Sequence, residues 1–167
     1  MGSLYTQRIG SVHALATAHY ATVRALHTAD GPILQLLGVQ VSPQAPVGAG
    51  GLLLDHAFES AKHLAIKRIA AVTRCRSYLV ENRPLLETGS AMTTYLEQDD
   101  DPGIRFHTSR GAAIRGLVCG YRPEDVANQG IGILVEYNLQ LDSASGAPAR
   151  QATAAGASVT HHEVAAA

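Results

Sequence analysis

Apolar and polar positions divide the first 140 residues into short alternating runs and longer helical stripes. Leu4-Tyr5-Thr6-Gln7-Arg8-Ile9 alternates at period two and predicts a strand. Val12, Leu15, Ala16, His19, Tyr20, Val23 and Leu26 recur at helical spacing and predict a helix over 12–27. Ile33, Leu34, Leu36, Leu37, Val39 and Val41 form a nearly continuous apolar run, the pattern of a strand buried on both faces. A glycine-rich turn comes next. Leu53, Leu54, Ala57, Phe58, Ala61, Leu64 and Ala65 then stripe one face of a predicted helix over 51–64, with Asp55, Glu59 and Lys62 opposite. Ile69-Ala70-Ala71-Val72-Thr73 predicts a third strand. The 85–96 stretch is ambiguous and reads as partly helical. Pro102 opens a short helix to 114 that Gly111 interrupts, and Leu117-Val118-Cys119 and the 131–137 run predict further strands. Strand, glycine turn, helix, strand is a βαβ crossover, which requires a parallel strand pair joined with right-handed geometry. The fold class is therefore α/β, and no internal repeat is visible.

The patterning stops near Asp142. Residues 143–167 are mostly Ala, Ser, Thr and Gly, with Val159 and Val164 as the bulkiest apolar side chains. Such a stretch cannot offset its ordering entropy by burial, so a folded domain over 4–141 and a disordered tail or linker over 142–167 are expected. His161-His162 lies in that tail, and a metal site needs more ligands than this pair.

Composition narrows the functional classes. The chain has 167 residues, the size of one domain, and 46% of them are hydrophobic, enough for a core. Thirteen Lys and Arg against fourteen Asp and Glu give a net charge of −1, which argues against nucleic-acid or membrane partners. Trp is absent and Phe occurs twice, so a base-stacking platform is not expected. Two cysteines, Cys75 and Cys119, exclude a disulfide-dense scaffold and a four-cysteine zinc site. No metal is expected. No apolar run reaches the roughly 18 residues that span a bilayer, and the first residues do not read as a signal peptide, so a cytoplasmic location is expected.

The candidate chemistry begins at the turn Pro43-Gln44-Ala45-Pro46-Val47-Gly48-Ala49-Gly50-Gly51. Glycines let backbone approach a ligand, and the first N–H groups of the following helix lack internal partners. With the helix dipole these make an anion site suited to a pyrophosphate. A glycine-rich connection without a ligand is the alternative. No Gly-Lys-Ser/Thr follows, so this is not a P-loop. A dinucleotide fingerprint would need glycine where Leu53 stands.

The turn and helix resemble the acetyl-CoA-binding core of the GCN5-related N-acetyltransferase (GNAT) superfamily. Leu53, Leu54, Ala57 and Ala61 match the helix of that core, and Gly48 and Gly50 fall on its glycine positions. Its Gln/Arg position falls on Ala45, which leaves the backbone donors but removes a side chain from the turn. The second half is more specific. Phe106-His107-Thr108-Ser109-Arg110-Gly111-Ala112, Gly120-Tyr121-Arg122-Pro123-Glu124-Asp125 and Asn128-Gln129-Gly130-Ile131-Gly132 look like the GNAT-like loading domains of modular polyketide synthases. Leu4-Tyr5-Thr6-Gln7-Arg8-Ile9 and Val72-Thr73-Arg74-Cys75-Arg76 do so as well, so the resemblance spans Leu4 to Tyr137.

The resemblance implies a mixed β-sheet of the GNAT type that binds a coenzyme A thioester, malonyl-CoA or acetyl-CoA. It implies CoA-binding positions at Val39, Val41, Gly48, Ala49, Gly50 and Gly51. Ordinary members of the superfamily place a Tyr general acid four residues before a Gly; here that position is His107, and the polyketide branch is similar in having His there. The branch decarboxylates malonyl-CoA to acetyl-CoA, and transfer of the acetyl group to an acyl carrier protein has also been proposed for it. Its functional Thr and His fall on Thr73 and His107, and its Arg near the substrate carboxylate falls on Arg122. Loss of CO₂ leaves an enolate, which donors from Thr73 Oγ and the His107 ring would stabilise at the thioester oxygen. His107 could also supply the proton that quenches the carbanion. Arg122 would hold the carboxylate. Read as residues alone, His107 also fits a packed histidine and Arg122 a partner for Glu124 or Asp125. The sequence departs from the branch in two places: the family's domain begins before the first strand seen here, so the first strands are expected to be absent, and Arg110 replaces a His common in the branch, a change expected to matter little because it lies on the far side of the turn from His107. An N-acyltransferase acting on an amine and a non-catalytic CoA-binding or interaction module are the alternatives.

Overall fold

A computed structural model describes residues 1–76, 93, 95–97 and 101–140. The expected tail over 142–167 and most of the ambiguous 85–96 stretch lie outside the described residues. Five strands form one mixed sheet: β1 (Gly2–Ile9), β2 (Ile33–Val41), β3 (Arg68–Thr73), β4 (Ala113–Val118) and β5 (Gly132–Asn138). Their spatial order is β1-β2-β3-β5-β4, with β2 and β3 parallel and every other neighbouring pair antiparallel. The helix α1 (Ala49–His63) makes the predicted crossover between β2 and β3. A second helix, α2 (Pro102–Thr108), precedes β4.

Period-two alternation divides the core between the two faces of the sheet. Ile69 and Ala71 of β3 and Ile133, Val135 and Tyr137 of β5 pack on the α1 face, with Leu54, Ala57 and Ala61 of the helix. Ala70 of β3 and Leu134 of β5 point the other way, toward Leu15, Ala18 and Val23.

That second face is covered by the segment for which periodicity predicts a helix over 12–27. The structure corrects this: only two short 3-10 turns form, at His13–Leu15 and Val23–Leu26. Tertiary partners take the backbone groups that a helix would need. The Tyr20 amide donates to Tyr121 O at 2.7 Å, and Val23 O accepts from Gln7 Nε2 at 2.9 Å. Thr28 N reaches Arg8 O, and His27 bridges Ile9. The apolar residues still point inward, because burial and not helical continuity sets their spacing. The second correction is at residues 109–114. The helix that opens at Pro102 ends at Thr108, Gly111 turns at φ +86°, and Ile114 belongs to β4.

The site is set by where β2 leaves β3. Their parallel register covers only Ile33–Leu36 against Arg68–Ala71. Beyond it, β2 continues to Val41 paired with β1, while β3 continues to Thr73 paired with β5. At the parting point the β1–β2 register slips, with Tyr5 opposite Gly38 and Thr6 opposite Leu36, so Leu37 is the extra residue of a bulge. A bulge increases local twist and bends its strand. Two adjacent strands diverge here, and a wedge opens in the middle of the sheet.

Candidate functional site

Two cavities open from the wedge, and both are lined by Leu37, Gly38, Val39, Val72, Thr73 and Arg74. The larger, of about 520 Å³, lies toward the helices and extends to Val41, Gly50, Phe106 and His107. The smaller, of about 300 Å³, extends to Tyr20, Tyr121, Arg122 and Asp125. Thr73 therefore reaches both cavities, His107 the first and Arg122 the second. Gly38 sits at the divide, and a Cβ there would meet nothing within 4 Å.

His107 is positioned by the local sequence of α2. Asp101 caps the helix, accepting from Gly103 N at 2.7 Å and Ile104 N at 3.2 Å, and Pro102 supplies the first helical residue. The other carboxylate oxygen of Asp101 takes the Arg76 amide and the Tyr95 hydroxyl, tying the start of α2 to the end of β3. One helical turn beyond Ile104, the His107 ring enters the core at 7% exposure. Its Nδ1 lies 2.6 Å from the Tyr137 hydroxyl, and Phe106 packs edge-on against it. Burial pushes the imidazole down to about 4, and the nearby charge of Arg110 adds to the shift. His107 is thus neutral at pH 7. Arg110 is accordingly close enough to act on this ring, contrary to the expectation that it lies clear of it. Burial likewise pushes the Tyr137 phenol up, which keeps its proton on.

The other cavity presents cations. Arg122 places its guanidinium 3.5 Å above the Tyr20 ring centroid, a cation–π contact. Arg122 forms the ion pair with Glu124 that one reading of the residues expects, Nε to Oε1 at 3.5 Å, and the buried Nε has no hydrogen-bond partner. The other expected partner, Asp125, is engaged elsewhere: it accepts from Arg74 Nη1 at 2.9 Å and from Asn128 Nδ2 at 3.1 Å. Asn128 Oδ1 in turn accepts the Cys75 amide at 3.0 Å. These bonds staple the end of β3, just past Thr73, to the turn that carries Arg122. The Arg74 and Asn128 contacts hold the Asp125 carboxyl below its usual range, against a burial effect of opposite sign that is the largest single influence. Cys75 is buried, and desolvation pushes its thiol up to about 12, which disfavours the thiolate that a nucleophile needs.

Of the expected CoA-binding positions, Val39, Val41 and Gly50 line the larger cavity. Gly48 caps α1 at φ +90°, a conformation that favours glycine, and Ala49 is the first residue of the helix. Gly51 faces inward beneath the Arg110 guanidinium, and a side chain there would collide with it. Tyr20, Arg74 and Tyr137 also stand at the site and are absent from the sequence expectation. Alternation places Tyr137 inward with Ile133 and Val135, but its meeting with His107, thirty residues earlier, has no local signal. Among the described residues no cluster of three or more His, Cys, Asp or Glu side chains could hold a metal ion. Among them, too, no helix is long and apolar enough to cross a membrane.

A parallel pair parted at a bulge, a glycine-capped crossover helix at its mouth and antiparallel strands on either side define a mixed sheet of the GNAT type. No family model matches the chain, and neither does any curated protein. Solved structures do. "GphF GNAT-like decarboxylase in complex with isobutyryl-CoA" is 35% identical at TM-score 0.74, over 83% of this chain and 72% of that one. The "loading GNATL domain of CurA from Lyngbya majuscula" is 33% identical at TM-score 0.74, over 84% and 71%. The chain belongs to the GNAT-like family of these proteins, close to the loading domains of polyketide synthases.

Proposed function

We propose that the chain binds malonyl-CoA in the wedge and decarboxylates it to acetyl-CoA, as an initiating step of polyketide synthesis that delivers the acetyl group to an acyl carrier protein. The observation that carries the reading is Thr73, which lines both cavities, between a neutral buried histidine and an arginine whose Nε lacks a hydrogen-bond partner. The relative solved with isobutyryl-CoA, itself named a decarboxylase, supports a CoA thioester as the ligand. In this reading the CoA chain lies along Val39 and Val41, and its pyrophosphate meets Gly48, Ala49, Gly50 and Gly51 at the start of α1. The malonyl carboxylate crosses to Arg122. The bond between the carboxylate carbon and C2 breaks, CO₂ leaves, and the electron pair enters an enolate. Thr73 Oγ and His107 donate hydrogen bonds to its oxygen, and C2 then takes a proton from water.

The low basicity of His107 bears on its role. A ring that stays neutral stabilises an oxyanion as a hydrogen-bond donor rather than as an imidazolium acid. In the smaller cavity Arg74 is paired with Asp125 and Arg122 lies beside Glu124, and the Arg122 guanidinium, whose buried Nε has no hydrogen-bond partner, is the group that favours an anionic acyl group over an amine. The test is incubation of malonyl-CoA with the chain, with product masses read directly. Acetyl-CoA from the parent and none from His107→Ala is the expected result. Equal turnover by the variant sinks the assignment.

A further inference from the structure

The His107–Tyr137 contact has a direction, and the direction sets which ring nitrogen carries the hydrogen. The Tyr137 hydroxyl is buried and carries one hydrogen. Among the described residues its one hydrogen-bond partner is His107 Nδ1, at 2.6 Å. A neutral imidazole has one N–H. Were that hydrogen on Nδ1, it would donate to the phenol oxygen and leave the phenol hydrogen buried without an acceptor. Were it on Nε2, the phenol donates to the Nδ1 lone pair and both groups are satisfied. The second arrangement leaves no buried donor unpaired.

We infer that Tyr137 is a positioning residue that holds His107 as the Nε2–H tautomer, so that the ring offers a donor and not a lone pair to an oxygen in the wedge. For the reaction proposed above, on which the functional part of this inference rests, the distinction is decisive. An Nε2–H faces a thioester oxygen favourably as negative charge gathers there, whereas an Nε2 lone pair would repel it. The supports of the pair are apolar. Phe58 packs edge-on against Tyr137 with ring centroids 5.1 Å apart, and Phe106 does the same to His107. Arg110 is the charged side chain that acts on both rings. It accepts no hydrogen bond and so does not compete for the phenol proton.

The experiment is nitrogen-15 NMR of the His107 ring in the full chain at neutral pH, in the parent, Tyr137→Phe and Phe58→Leu. The parent is expected as the Nε2–H tautomer. Tyr137→Phe keeps the aromatic ring but should mix the two tautomers and lower kcat for malonyl-CoA by about tenfold to a hundredfold, with KM little changed. Phe58→Leu disturbs packing alone and should leave the tautomer as in the parent. An Nδ1–H parent overturns the inference, as does a Tyr137→Phe ring unchanged in tautomer. Should Tyr137→Phe not fold, the parent spectrum alone decides. A parent that shows Nε2–H yet leaves malonyl-CoA intact supports the tautomer assignment and refutes the proposed reaction.

Discussion

The larger and smaller cavities share the walls of one wedge, yet the groups at their far ends differ in kind. The helical side shares Arg74 and adds Arg76 to its lining, and deeper in it holds a histidine and a tyrosine, both buried and both held uncharged by desolvation. The opposite side holds arginines and an ionised aspartate. The first environment suits a group that must donate a hydrogen bond without carrying charge. The second suits a group that must attract a carboxylate. The two environments lie on either side of the parted strand pair, and Arg74 lines both cavities. The charge of Arg110 acts on the His107 ring and lowers its pKa further.

The comparison yields predictions of decreasing size. Thr73 is the bridge, so Thr73→Val should cost the most, lowering kcat about 10²–10³-fold as loss of an oxyanion donor does. Steady-state kinetics on malonyl-CoA would check it, and a changed KM at constant kcat would remove Thr73 from the chemistry. The second prediction concerns acid stability. The folded pKa of His107, about 4, lies below its unfolded value of 6.5, so the unfolded chain binds the proton first as pH falls. The stability that His107 confers by remaining neutral is complete above about pH 6.5 and is lost progressively down to about pH 4, on the order of 3 kcal/mol. Urea unfolding of the parent and of His107→Gln across that range should show the difference between them closing. Parallel curves would mean that the ring is not desolvated.

On the cationic side, Arg122→Gln should raise KM for malonyl-CoA about tenfold to a hundredfold, the worth of a charged hydrogen bond, while leaving acetyl-CoA affinity unchanged. Equal losses for both thioesters would place Arg122 on the CoA moiety instead. The smallest effect tests the wedge itself. Gly38→Leu adds a side chain where a Cβ meets nothing. It should weaken thioester binding about tenfold by occupying shared space, with the melting temperature unchanged, measured by calorimetry and thermal denaturation.

Much of this arrangement is legible in the sequence because burial writes it locally. The two-faced run at Ile33–Val41, the stripe of α1 and the alternation of β5 each report the environment of a single element, and the crossover follows from their order. The turn of glycines marks the mouth of the wedge for the same reason. The segment over 12–27 misleads because its apolar spacing satisfies a helix while its backbone partners come from Gln7, Arg8 and Tyr121, which no local pattern reveals. The site shows the same limit. Thr73 and His107 enter through resemblance to a family, as do Val39, Val41 and Gly50, which line the larger cavity. Tyr20 over Arg122, Arg74 on Asp125 and Tyr137 against His107 are long-range pairs, and each decides the charge or direction of a side chain that the sequence names without its neighbour.

The central claim is that one thioester spans the wedge, with its carboxylate on the Arg122 side and its oxygen beside Thr73 and His107. A crystal structure of His107→Ala with malonyl-CoA tests it most directly, because that variant is expected to bind the thioester without consuming it. The account predicts the malonyl carboxylate on the Arg122 guanidinium, the thioester oxygen within hydrogen-bond distance of Thr73 Oγ and the pyrophosphate at Gly48–Gly51. A thioester lying wholly within the larger cavity, with its carboxylate away from Arg122, would contradict it.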